Sequence, residues 1–270
     1  MFGNDCDSAS GFFRALRVLI GFSLLCVAGC DSGDRTREEI IDQTYQIVPT
    51  ATLNISNKDG SIRIYAGGPP VLKLQAIKKA YSDERLSKIS VNVSATQNAV
   101  SIETKFPPKS AGWFADQSGT VDYIIVVPDT VRIANVELEN GELLIDAMRA
   151  PVGRAKLGSG RLFAHNCFTD VNIFVASGNF AVTYDWWEQR QFSVDAAIQD
   201  GNGFAFIPSD ASFHLVAKTR NGKIGNDFTE QENRNGETVT NIDTVVGEAS
   251  QVTINLRATD GNIKIVEANP

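Results

Sequence analysis

The 270-residue chain holds two histidines, His165 and His214, on well-separated segments. A zinc centre wants three or four ligands at short spacings, and neither histidine has such company. Both are expected to be hydrogen-bonded structural residues, with no metal or other cofactor. Ser159 and Ser177 each stand beside a glycine, but no G-x-S-x-G elbow, H-E-x-x-H or phosphate-binding loop occurs. "DGNG" at Asp200 lacks the regularly spaced carboxylates and closing Glu of a calcium loop. Asp146, Asp170, Asp185 and Asp195 could supply the acids with which some β-helical enzymes cleave acidic polysaccharides. Three or more of them converging in an exposed groove would mark such an enzyme. Acids scattered along structural edges are simply solvated, so a non-catalytic protein is expected.

Candidate recognition residues lie in "YDWWEQRQ", where Tyr184, Trp186 and Trp187 cluster. Adjacent residues on a strand point to opposite faces, so at least one ring is expected at the surface. An exposed Trp can stack on a glycan or anchor an envelope protein. The alternative is that these rings fill a bend and serve only packing.

The elements that would position these groups are strands. One short phrase recurs along the chain: "NKDGSIRI", "LENGELLI", "LGSGRLFA", "VASGNFAV", "IQDGNGFA", "KTRNGKIG" and "ATDGNIKI". Its glycines are Gly60, Gly141, Gly160, Gly178, Gly201, Gly222 and Gly261. From Gly141 onward they recur about every twenty residues, the last interval being about twice that, a period that fits a solenoid. Each glycine would mark a repeated corner needing positive φ, with Asn, Asp or Ser beside it satisfying backbone groups. Alternating Val, Ile, Leu and Phe on the flanking strands would stack into one core. A degenerate unit around "ETVTNIDTVVGEAS" would fill the long last interval. Antiparallel hairpins in a sandwich are the competing arrangement.

The expected fold is all-β: a right-handed parallel β-helix-like solenoid with an N-terminal antiparallel hairpin section. Residues 45–128 would form the antiparallel section and residues 129–270 the solenoid repeats. Residues 30–44, polar and without sustained periodicity, would be a tether.

Arg14 and Arg17 precede an apolar run from Val18 to Gly29, too short to span a bilayer comfortably but suited to a secretory signal. The run ends in "VAGC", Val27 to Cys30, which resembles the bacterial lipoprotein signal. That resemblance implies cleavage after residue 29, lipid on Cys30, and a membrane-anchored, extracytoplasmic protein of the cell envelope. Cys6 and Cys26 would leave with the signal, so Cys167 could form no internal disulfide and is expected to be a small core residue.

The hydrophobic share of 43% and charged share of 21% are those of a soluble globular domain. A net charge of −7 argues against a nucleic-acid partner.

The lipoprotein start, hairpin-rich first part and "NGxIxI" or "SGxLxA" phrases together resemble the bacterial β-helical "putative adhesin" domains, many of unknown function. The matching residues are Gly60, Ile62 and Ile64, then Gly141, Leu143 and Ile145, then Gly222, Ile224, Gly261, Ile263 and Ile265. The resemblance covers most of Tyr45 to Glu267 and implies a β-helical binding or structural protein. "YDWWEQRQ" and the blurred unit before Gly261 depart from it.

Overall fold

The computed structural model describes residues 36–108, 117–228, 238–248 and 251–268. In chain order the first strands are β1 (Arg37–Gln46), β2 (Thr52–Ala66), β3 (Val71–Ala80), β4 (Ser90–Ala95), β5 (Ala99–Lys105) and β6 (Thr120–Val127). A short helix, α1 (Asp83–Lys88), lies between β3 and β4. Then come β7 (Arg132–Asp146), β8 (Val152–His165), β9 (Val171–Thr183) and β10 (Phe192–Pro208). The last are β11 (Phe213–Asn221), β12 (Ile224–Asn226), β13 (Asn241–Val246), β14 (Val252–Asp260) and β15 (Ile263–Ala268).

One repeat is a single long strand bent at its glycine. In β7 the limb before Gly141 turns Ile133, Val136 and Leu138 inward, and the limb after it turns in Leu143 and Ile145. The bend falls in the same place in β2, β8, β9 and β10, and these strands pair in parallel with glycine opposite glycine: Gly60, Gly141, Gly160, Gly178, Gly201. All five have φ between 125° and 135°, a region closed to side-chain-bearing residues. A Cβ on Gly160 would also lie 1.9 Å from the carbonyl oxygen of Gly141, so the corner requires glycine twice over. The residue before each glycine forms a polar ladder; Asn140 Nδ2 donates to Asp59 Oδ1 at 2.8 Å.

Between the inward limbs lies one core of Val, Ile, Leu and Phe, each side chain worth roughly 1.5–3 kcal/mol when fully buried. A third side closes it with the connections after each second limb, where Met148, Cys167, Phe168 and Tyr184 are buried. This second corner also has left-handed backbone, at Ala147 (φ 59°) and Asn166 (φ 50°), without glycine.

The coils do not stack in chain order. The limbs β5 and β6 pair in parallel with the two halves of β2, so this coil lies on the side of β2 away from β7. At the other end β14 lies between β10 and β11, pairing in parallel with both. β15 likewise pairs with β10 and β12. At each end, therefore, one coil is inserted between two others, and eight coils result. Antiparallel strands cover the ends: β4 on β5, β3 on β6, β1 on β3, and β13 on β11.

Several expectations are corrected. Residues 37–44 of the expected tether belong to β1, an edge strand whose side chains are almost all solvent-exposed; it shows no sustained alternation because only Ile41 and Tyr45 pack against the core. Asn57 to Gly60 is a bend in one continuous strand and not a hairpin turn, so β2 belongs with the coils although it precedes residue 129. "ETVTNIDTVVGEAS" supplies no degenerate coil: its residues 241–246 form β13, an antiparallel cap. Gly222 lacks positive φ; its Cβ would instead strike the Gly261 carbonyl oxygen at 1.9 Å, so close stacking alone excludes a side chain.

Candidate functional site

The segment after Thr183 departs from the repeat and gathers charge and aromatic surface at the second corner. Strand register sets His165 beside Asp146, and the connection after β9 brings Asp185, two residues past the register partner Thr183, to the other side of the ring. His165 Nδ1 lies 2.8 Å from Asp146 Oδ1, and its Nε2 lies 2.9 Å from Asp185 Oδ2. A neutral imidazole donates to one acceptor only, whereas an imidazolium donates to both. Asn166 Nδ2 donates to Asp185 Oδ2 at 3.0 Å, and the Asp185 N–H donates back to Asn166 Oδ1 at 2.9 Å. The Asn166 amide beside it, helped by His165, holds the Asp185 carboxyl below the usual carboxylate range.

Arg149 ties this corner to the inserted segment. Its Nη1 donates to the Asn166 carbonyl at 3.0 Å and its Nη2 to Glu188 Oε1 at 2.8 Å. The guanidinium sits 4.7 Å from the centre of the Phe168 ring. Glu188 Oε1 also accepts from Trp186 Nε1 at 3.1 Å.

The three aromatic candidates separate. Tyr184, expected as a recognition residue, is only 1% exposed, and its hydroxyl donates to the Cys167 carbonyl at 3.0 Å; burial pushes its phenol well above its usual pKa. As the first residue after a core strand it points inward and cannot meet a partner. Trp187 is half-buried, its ring 5.4 Å from Tyr184, 5.8 Å from Phe192 and 5.9 Å from Phe213. Trp186 is 45% exposed and rests on Phe168 at 5.6 Å. Beside Trp187 lies a polar hollow of about 290 Å³, lined by Gln189, Arg190, Gln191, Ser212 and Glu248 among others.

The four carboxylates are not brought together. Asp146 and Asp185 meet at His165, but Asp170 accepts from Ser193 N and Oγ, and Asp195 accepts from Asn255. His214 Nε2 pairs with Asp243 at 2.7 Å. Among the described residues no group of three or more His, Cys, Asp or Glu is arranged to hold a metal ion. Both ring nitrogens of His165 face carboxylates, so neither is turned toward a hydroxyl or thiol nucleophile. A cleft of about 400 Å³ near Phe106 is lined by Lys58, Arg85 and Glu139. Lys58 already pairs with Glu139, and Arg85 donates to the Ser118 and Pro108 carbonyls. Cys167 is buried as expected. Cys30 and the signal segment lie outside the described residues.

Sequence reasoning did not foresee the Asp146–His165–Asp185 line, although its signal was present. His165 follows Asp146 by 19 positions, one coil, and precedes Asp185 by 20, one coil and two residues more.

Among solved structures the chain is similar to a "putative cell adhesion protein" from Clostridium sporogenes, at 15% identity over 87% of this chain and 100% of that one, with a TM-score of 0.51. "Putative adhesin" structures from Bacteroides fragilis (11% identity, 84% and 97% coverage, TM-score 0.31) and Parabacteroides distasonis (10%, 84% and 97%, TM-score 0.28) are more distant. The first likeness shows a shared fold. No curated protein matches the chain. A family match runs over residues 36–266, across the bent strands, the glycine column and both antiparallel caps. The chain belongs to the Toastrack DUF4097 family.

Proposed function

We propose that this protein is a lipid-anchored, extracytoplasmic binding protein of the bacterial cell envelope, without catalysis, held to the membrane through Cys30. The observation that carries the binding role is Trp186. It stands 45% exposed on a braced platform of Phe168, Arg149 and Glu188, in a segment that breaks the repeat of the coils. A large ring kept at the surface by dedicated contacts suits contact with a partner. The hollow beside Trp187, with its planar amides and charged ends, suits the hydroxyls of a glycan or the backbone of an envelope protein. A polysaccharide-cleaving reading draws no support from the carboxylates, since Asp170 and Asp195 are engaged elsewhere.

Anchoring rests on "VAGC" after an apolar run. Cys30→Ser is expected to abolish incorporation of labelled palmitate and to release or misprocess the protein. Labelling at the wild-type level would refute the anchor. For recognition, Trp186→Ala is expected to weaken binding to isolated envelopes with little change in melting temperature. Unchanged envelope binding would remove Trp186 from the site.

A further inference from the structure

On the outward face of the first limbs, one row of side chains crosses five strands at a common register. It runs Lys156 on β8, Phe174 on β9, Ala197 on β10, Arg257 on β14 and Lys218 on β11. Neighbouring strands are about 4.8 Å apart, so Phe174 and Arg257 stand roughly 10 Å from each other. Only the methyl group of Ala197 lies between them. The result is an open notch of about 500 Å³, with Phe174 on one wall, Arg257, Lys218 and Arg220 on the other, and Ala197 in its floor.

The charge in this notch runs against the rest of the molecule. The chain carries a net charge of −7, yet three cations line one wall here. Among the described residues only Asp195 approaches them, 4.0 Å from Arg257, and Lys156, Lys218 and Arg220 take part in no ion pair. Phe174 is 37% exposed, a large ring left open to water beside them.

We propose that the notch binds an acidic sugar unit of an anionic polysaccharide. The pyranose ring lies over Ala197 with its apolar face against Phe174. Its carboxylate meets the Arg257 guanidinium, whose fork matches a carboxylate, with Lys218 and Arg220 adding charge. The surrounding sheet face argues against other polyanions. A duplex presents one charge about every 1.7 Å and needs a continuous basic stripe. Here the row runs from Lys156 directly to Glu137, and Asp195 stands 4.0 Å from Arg257, so acids interrupt the basic face. An anionic membrane would call for a ring free on all sides, whereas Phe174 walls a ring-sized hollow. This surface is on the first limbs and Trp186 is beyond the second, so either site can fail while the other stands.

The test titrates the full-length protein in neutral detergent micelles with hexagalacturonate, a hyaluronan hexasaccharide and neutral maltohexaose. At low salt an acidic hexasaccharide is expected to bind about ten-fold or more tightly than maltohexaose, the gap narrowing as salt screens the cations. Combined Arg257→Gln and Lys218→Gln should lower acidic-sugar affinity about ten-fold, and Phe174→Ala about five-fold. Ala197→Leu fills the notch while leaving every charge in place, and should also abolish binding; Trp186→Ala should not affect it. Equal affinity for acidic and neutral sugars would overturn the proposal. So would wild-type binding by Ala197→Leu, which would reduce the effect to diffuse charge. Binding of phosphatidylglycerol-containing vesicles but of neither acidic sugar, lost in the same variants, would overturn it in favour of a membrane surface.

Discussion

Gly201 and Gly261 stack against each other so closely that a Cβ on Gly261 would fall 1.6 Å from the Gly201 carbonyl oxygen. Gly222, which precedes Gly261 in the chain, lies beyond it in space, its own Cβ position 1.9 Å from the Gly261 carbonyl oxygen. The glycine column is thus continuous through seven of the eight coils, Gly60 meeting Val121 in the outermost one, only because the last coil enters between two earlier neighbours.

The column makes a graded prediction. Gly160→Ala combines positive φ with a backbone clash and should cost about 3 kcal/mol or more. Gly68 also has positive φ but open space around it, so Gly68→Ala should cost only about 1 kcal/mol. Gly222→Ala meets the clash without the φ strain and should fall between them. Urea unfolding of the three variants gives the order directly.

The two tryptophans should behave differently. Trp187→Ala removes a ring packed on Tyr184, Phe192 and Phe213 and should destabilise by about 3 kcal/mol. Trp186→Ala loses one exposed hydrogen bond and part of a ring contact, and should cost about 1 kcal/mol or less. Equal melting temperatures for the two variants would contradict this division.

Acidification should reach the second corner through Asp185. Its carboxyl is held below the ordinary value, chiefly by the Asn166 amide, so its ionised form favours the folded state. That contribution is fully present above the unfolded-state pKa of about 3.9 and is lost as pH falls through the lower folded-state value. Wild type should therefore exceed Asp185→Asn in melting temperature by a constant margin near neutrality. The margin should shrink only below about pH 4.

Burial pushes the Cys167 thiol up to about 12, leaving essentially no thiolate at neutral pH. In a chain with Cys6, Cys26 and Cys30 replaced by serine, an aromatic disulfide reagent should modify Cys167 only as fast as the protein unfolds. Rapid labelling of native protein would show that this third side opens locally.

The bent repeat was legible because its corner demands a particular residue. Positive φ and a neighbouring carbonyl both exclude a side chain at Gly141, Gly160, Gly178 and Gly201, so glycine recurs at the coil period. The second corner left no such mark, since Ala147 and Asn166 adopt left-handed backbone without glycine. β1 escaped notice because a largely exposed edge strand, with only Ile41 and Tyr45 against the core, needs no sustained alternation of polarity. Coil order was invisible for a deeper reason: Leu256 packs equally well beside Ala196 and Ala217, and nothing in a local pattern says which parallel neighbour a strand will take. At the site, the aromatic cluster was evident, but its division into buried Tyr184, half-buried Trp187 and exposed Trp186 depended on the path of the connection after Thr183.

The inserted coils also constrain how such a molecule is made and how it lengthens. During synthesis β11 emerges before β14, so it cannot settle against β10 without filling the place that β14 must later occupy. This end of the stack can therefore mature only after β14 and β15 have emerged, while β7 to β10 can zip together in order as they appear. The same asymmetry bears on gene duplication. A copied repeat placed among β7 to β10 extends the stack by one unit, whereas one following β15 leaves a strand whose two edges are already taken by β10 and β12.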